Sequence, residues 1–206
     1  MAITNFETRE LHCKIVYFGA SDVGKTENLR SIYRRTSPEV RAGLFDLGES
    51  GPSKYFEFLP LSLGYVRDYQ IKLHLYTYFE TNFMRTLPGT LLKGLDGFVF
   101  VNDARVDALA SNIKAYDETK RLLADEGFNV SELPQVIQYN KMDLDHLVPL
   151  KILKEELNPF GGVDCSSVAT ASEGTMETLR LISQMVLRQI VTKSDLEKIR
   201  GGVWDA

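Results

Sequence analysis

The run Gly19-Ala20-Ser21-Asp22-Val23-Gly24-Lys25-Thr26 follows a short β-branched and aromatic segment, Leu11–Phe18 (LHCKIVYF). It leads into a segment from Thr26 to about Arg35 in which Leu29, Ile32 and Tyr33 are spaced for one buried helical face. Strand, glycine-rich loop and helix therefore come in the order that a phosphate-cradling loop requires. The eight residues satisfy G-x-x-x-x-G-K-[ST], which a random chain of this length would match on the order of one time in a hundred. The chemistry explains the spacing. Glycines let the backbone curl so that successive N–H groups point at phosphate oxygens, and the helix beginning at Thr26 adds its positive N-terminal end. Lys25 supplies a point charge for β- and γ-phosphates, and the Thr26 hydroxyl can ligate Mg²⁺. Gly19, Ser21, Asp22, Val23, Gly24, Lys25, Thr26 and Glu27 are thus expected to bind nucleotide. Ser21 adds bulk where a γ-phosphate would sit. Asp22 brings a carboxylate to an anion site: at ~8 Å and an effective dielectric of ~20 the repulsion is about 2 kcal/mol per charge, and much less if the side chain faces solvent.

Further along, the run Pro134–Tyr139 (PQVIQY) ends in Asn140-Lys141-Met142-Asp143, an N-K-x-D pattern at the carboxyl end of a strand. Ligands bind at that end of an open α/β sheet. Asp143 can accept hydrogen bonds from N1–H and the N2 amino group of guanine. Adenine has an acceptor at N1 and nothing at position 2, so the pair selects GTP/GDP over ATP. The Lys141 stem can pack over the base. Val168-Ala169-Thr170, after the last strand, are placed to offer a backbone N–H to guanine O6.

The rest of the chain reads as strands alternating with helices. Thr36–Gly51 is expected as a long loop with little regular structure, and Tyr55–Leu61 with Gln70–Tyr78 as an antiparallel hairpin. A helix over Thr81–Lys93 is broken by Pro88-Gly89. Strands follow at Gly97–Asn102, Gln135–Tyr139 and Val163–Val168. Helices follow at Asp107–Glu126, Pro149–Leu157 and Thr175 to about Ile199. This is an α/β fold: a six-stranded mostly parallel sheet with one antiparallel edge hairpin and helices on both faces. Residues 1–195 form one domain, and 196–206 are expected to be a flexible tail carrying Trp204.

With 206 residues, 44% hydrophobic and 25% charged, the chain can form one sizeable core. A net charge of −4 argues against nucleic-acid binding, which needs a basic footprint. Cys13 and Cys165 make no disulfide or zinc pattern and read as small core residues in strands. His12, His74 and His146 have no partners at metal-ligand spacing. The termini show no secretory signal, myristoylation glycine or prenylation box, so no direct membrane anchor is expected. A cytoplasmic monomer is the default. The aromatic residues Tyr76, Tyr78, Phe79 and Phe83 divide between core and a partner-binding surface.

The motif order, with a long loop and a hairpin between phosphate loop and N-K-x-D, resembles the small Ras-like GTPases and, within them, the bacterial MglA-type gliding-motility and polarity GTPases. The resemblance spans roughly residues 5–193. It is carried by Cys13–Tyr17, Phe58–Leu61, His74–Thr77, Leu92–Gly97, Gln138–Lys141 and Leu157–Pro159, with Thr77 standing where Ras proteins have Asp. It implies a Ras-like P-loop G domain, GTP/GDP and Mg²⁺ as cofactors, recruitment to a cell pole with polar effector proteins, and a roadblock-type MglB-like regulator.

The chain departs from that family at its switches. The family's T-x-P-G-Q reads Thr77-Tyr78-Phe79-Glu80-Thr81, so Glu80 replaces the glycine that senses the γ-phosphate and Thr81 the glutamine that orients water. The family's catalytic arginine, in T-D-R-T, aligns with Pro52 of Ser50-Gly51-Pro52-Ser53, and Ser53 can keep the Mg²⁺-binding hydroxyl. No catalytic residue is assigned. An arginine of this kind contributes ~10³–10⁵ in rate, so very slow intrinsic hydrolysis is expected. A Glu80 carboxylate acting as general base is the rival reading of that position. The resulting function is a guanine-nucleotide switch that recruits polarity or motility partners. The alternatives are an active GTPase completed by a partner protein and a nucleotide-independent scaffold.

Overall fold

The computed structural model describes residues 3–48, 54–78 and 91–201. Pro52, Ser53, Phe79, Glu80, Thr81, Phe83, most of the expected Thr81–Lys93 helix, and Trp204 lie outside the described residues.

Among the described residues an eight-stranded sheet is formed by β1 (Ile3–Asn5), β2 (Glu10–Phe18), β3 (Phe45–Gly48), β4 (Lys54–Val66), β5 (Tyr69–Thr77), β6 (Leu95–Asp103), β7 (Gln135–Asn140) and β8 (Asp164–Ser166). Its order is β3-β4-β5-β2-β6-β7-β8, with β1 alongside the start of β2. The five strands from β5 to β8 are parallel, and β3, β4 and β1 pair antiparallel. The expected fold class and edge hairpin are therefore present. Two short strands exceed the expected six. β3 lies within the segment read as loop, where Phe45–Gly48 gains its ladder from Phe58–Lys54 of β4. β1 gains its ladder from Glu10–His12, below the point where β6 takes over that side of β2. In both, the partner strand supplies what local periodicity does not.

Helices cover both faces. α1 (Lys25–Arg35) and α4 (Thr175–Gly201) bury Leu29, Ile32, Leu179, Ile182 and Val186 against Ile15, Leu73, Leu75 and Val99. α2 (Leu109–Asp125) and α3 (Leu150–Leu157) bury Leu123, Leu153 and Leu157 against Phe18, Phe98, Phe100 and Ile137. Every residue of β6 is buried, as befits a central strand covered on both faces. α1 ends at Thr36, whose N–H and hydroxyl both donate to the Ile32 carbonyl before Ser37-Pro38. Cys13 is fully buried, and burial pushes its thiol up to about 12, consistent with a core residue. Cys165, in β8, is half-buried.

A polar seam joins α1 to β7 and α4. Asn28 and Gln138 pair amide to amide (2.8 and 2.9 Å), Gln138 Nε2 also donates to Thr178 Oγ1 at 2.8 Å, and Ser31 meets Thr175 at 2.7 Å. All five side chains are buried. Gln138→Ala leaves two buried polar groups short of partners and opens a cavity. It is expected to destabilise the fold by about 2–4 kcal/mol, read as a lower urea midpoint at unchanged slope.

Candidate functional site

The chain runs from β2 to one side of the sheet, through β5, and then crosses to β6 on the other side of β2. The strand order thus reverses at β2, and its carboxyl end opens into the crevice where α/β sheets take ligands. Gly19–Gly24 leave β2 at that point. Gly19 has φ 140° and Gly24 φ 101°. A Cβ on Gly19 would run into the Val101 carbonyl of β6, and one on Gly24 into the Asn140 carboxamide, so the curl of the loop depends on glycine at both ends. Gly24 caps α1 without a side-chain bond. The first-turn N–H groups and helix dipole therefore face the loop's hollow.

Lys25 is nearly buried, and its Nζ donates to the Gly19 and Ala20 carbonyls at 2.7 and 2.6 Å, which holds the ammonium across the loop. Thr26 stands in the first turn of α1 and is half-buried. Asp22 adopts φ 59°, a conformation aspartate tolerates, and is exposed with Ser21. That exposure fits the solvent-facing alternative for its carboxylate. Glu27 is engaged by Arg34 at 2.7 Å.

Asn140 connects the two motifs. Its Nδ2 donates to the Val23 carbonyl at 2.8 Å, while its Oδ1 accepts from Ser167 Oγ and the Ala169 N–H, both at 3.0 Å. One buried side chain thus ties the phosphate loop to the loop after β8. Asn140, Lys141, Asp143, Leu144, Ala169, Thr170, Gly24 and Glu27 line a cleft of about 130 Å³. Asp143 is exposed at its rim. Of the three residues assigned to guanine O6, Val168 donates its N–H to Glu173 and Ala169 to Asn140. Ala169 and Thr170 both line the cleft. A larger groove of about 620 Å³ lies at the amino ends of β7 and β8, lined in part by Pro134, Val163 and Phe160, away from these motifs.

Sequence reading overlooked Asp103, the last residue of β6. Its buried carboxylate receives Lys141 Nζ at 2.7 Å and Arg105 Nη2 at 2.7 Å. Burial would raise this carboxyl, but the bonds from Arg105 and Lys141 outweigh it and hold it at about 2. The folded value lies below the ordinary 3.8. The stabilisation is therefore complete above about pH 4 and is lost as pH falls toward 2. Asp103→Asn is expected to flatten that part of the acid limb in urea midpoints measured across this range. The signal available in the sequence was the polar pair Asn102-Asp103 following the apolar run GFVFV at the carboxyl end of a strand.

His12 and His74 stack at 5.2 Å with Nδ1 and Nε2 2.9 Å apart, on the sheet, remote from these loops, and His146 is exposed. Buried Thr77 accepts from the Glu57 N–H at 2.9 Å. Tyr76 stacks on Phe58, and Tyr78 packs against Phe18.

The curled backbone, the lysine across it and the helix N-terminus fit a polyphosphate, and the cleft beside Asp143 fits a purine. No cluster of three or more His, Cys, Asp or Glu able to hold a metal occurs among the described residues. Sheet order, phosphate loop and N-K-x-D cleft define a Ras-like G domain. No family model matches the chain. It is 36% identical over 191 residues, covering 92% of this chain and 98% of the relative, to the mutual gliding-motility protein MglA of Myxococcus xanthus (strain DK1622). The chain belongs to the MglA family of Ras-like small GTPases.

Proposed function

We propose that this protein is a guanine-nucleotide switch for motility or polarity whose state is set by GTP binding and by partners, because its own hydrolysis is strongly slowed. The observation that carries this reading is a binding half kept whole beside a catalytic half replaced. Gly19–Thr26 and Asn140–Asp143 are tied together through Asn140. Pro52 and Thr81 stand where the resemblance places the family's arginine and glutamine. Thr26 and Ser53 are the proposed Mg²⁺-binding hydroxyls. When bound, Mg²⁺ neutralises charge on the β- and γ-phosphates, while Lys25 and the α1 N-terminus orient them.

Partners are a roadblock-type MglB-like regulator and polar effector proteins, met by a cytoplasmic chain that reaches a pole through them. Among the described residues no helix is long and apolar enough to cross a membrane.

The test is the nucleotide content of the purified, undialysed protein during incubation with GTP and Mg²⁺. Bound GTP that persists supports the switch. Conversion to GDP at the rate of intact small GTPases overturns the slowed-hydrolysis reading. Sharp acceleration by the added regulator assigns the missing groups to a partner. Protein that arrives empty and stays empty makes it a scaffold.

A further inference from the structure

The loop after β7, which lines the base cleft, is zipped to the loop after β6. Ala104 N–H donates to the Asn140 carbonyl at 3.0 Å, Val106 N–H to His146 at 2.9 Å, and Val148 N–H to Ala104 at 2.8 Å. Arg105 pairs with Leu147 as a bridge between them. From this bridge the Arg105 side chain turns back onto Asp103. Nε lies 3.1 and 3.2 Å from Oδ1 and Oδ2, Nη2 lies 2.7 Å from Oδ2, and the Arg105 backbone N–H reaches Oδ1 at 3.1 Å. Oδ2 is also the oxygen that receives Lys141 Nζ. The side chain of Asp103 is 4% exposed, that of Arg105 38% and that of Lys141 25%.

We infer that Arg105 is a positioning residue of the base site, acting through Asp103 to fix the Lys141 stem over the purine. This rests on the guanine-nucleotide reading of the site. The planar fork of arginine sets the carboxylate in one plane from two nitrogens at once, which a lysine ammonium cannot do. The fixed Oδ2 then captures the Lys141 head. Lys141 leaves β7 with φ 64°, a conformation uncommon for lysine, and this directs its side chain back toward Asp103. The mobile four-carbon stem is therefore ordered by the protein before the base arrives, so that binding no longer has to order it. Without Arg105 the carboxylate keeps Lys141 but loses its fixed plane, and the stem ceases to be a rigid wall of the cleft.

The experiment measures dissociation of fluorescent GDP from the full chain and from Arg105→Ala, Lys141→Ala and the double variant, with inorganic tripolyphosphate binding measured alongside. Arg105→Ala is expected to speed GDP release about 3–10-fold, in keeping with interface changes that act on dissociation. Tripolyphosphate binding, which does not involve the base wall, is expected to stay unchanged. In the Lys141→Ala background the Arg105→Ala effect should vanish, because the two act in series. Arg105→Lys should not rescue. An unchanged release rate for Arg105→Ala overturns the inference. So does an effect that persists in full without Lys141, or an equal loss of tripolyphosphate binding. A wild-type chain that takes up no GDP is a separate outcome: it removes the guanine-nucleotide reading itself, and this inference with it.

Discussion

Asp143→Asn is expected to lower affinity for GDP about 10²–10³-fold while conferring affinity for XDP. The aspartate stands at the rim of the cleft formed by Lys141, Leu144, Ala169 and Thr170. In the proposed base site its two oxygens would accept from the N1–H and N2 amino edge of a guanine. Hydrogen bonds to a charged group contribute roughly 1.5–3 kcal/mol each. Two of them in a partly solvated position reach the lower part of the sum, and every 1.4 kcal/mol is tenfold. An asparagine keeps one acceptor for N1–H and turns an NH₂ toward the N2 amino group, setting donor against donor. Xanthine has a carbonyl at that position and accepts the new donor. Because Asp143 is exposed, the substitution leaves the core untouched, so the change should appear in competition of GDP and XDP against a fluorescent nucleotide and not in the unfolding midpoint. Equal preference of the wild type and Asp143→Asn for GDP would remove Asp143 from base recognition.

The parts of the site that were legible in the sequence are those fixed by a short run of chain. Gly19–Thr26 could be read because curling a backbone around phosphate demands glycine, lysine and a hydroxyl at set spacing, and the glycine contacts with Val101 and Asn140 account for that demand. Asn140–Asp143 could be read for the same reason. The sequence did not reveal what Asn140 itself does, because its partners Val23, Ser167 and Ala169 come from two distant loops. Nor did it reveal the link from Arg105 through Asp103 to Lys141, since Asp103 and Lys141 meet only when β6 and β7 lie side by side. The fold shows the same division. β2, β6 and β7 announce themselves as apolar runs, and α1 by its buried Leu29 and Ile32. β1 and β3 carry too few residues to show a period and become strands only through the ladders of β2 and β4.

The second large effect concerns catalysis and tests the proposal that hydrolysis is slowed. A chain carrying Pro52→Arg and Thr81→Gln is expected to cleave bound GTP at least about tenfold faster than wild type, in single-turnover assays begun by adding Mg²⁺ to the GTP-loaded protein. The upper bound is the ~10³–10⁵ that a well-placed arginine contributes by neutralising transition-state charge. The gain should fall short of that bound for two reasons. Proline fixes φ and carries no N–H, so the residues flanking position 52 are not selected to aim an arginine. The resemblance aligns Glu80 with the family's γ-phosphate-sensing glycine, and a carboxylate at that position would repel the phosphate. Adding Glu80→Gly to the pair should therefore raise the rate further, whereas a Glu80 acting as general base would make the same change lower it. The sign of that third step separates the two roles of Glu80. No acceleration in any of these variants would mean that Pro52 and Thr81 are not what slows the chain, and a slow wild-type rate would then have to originate elsewhere in the site.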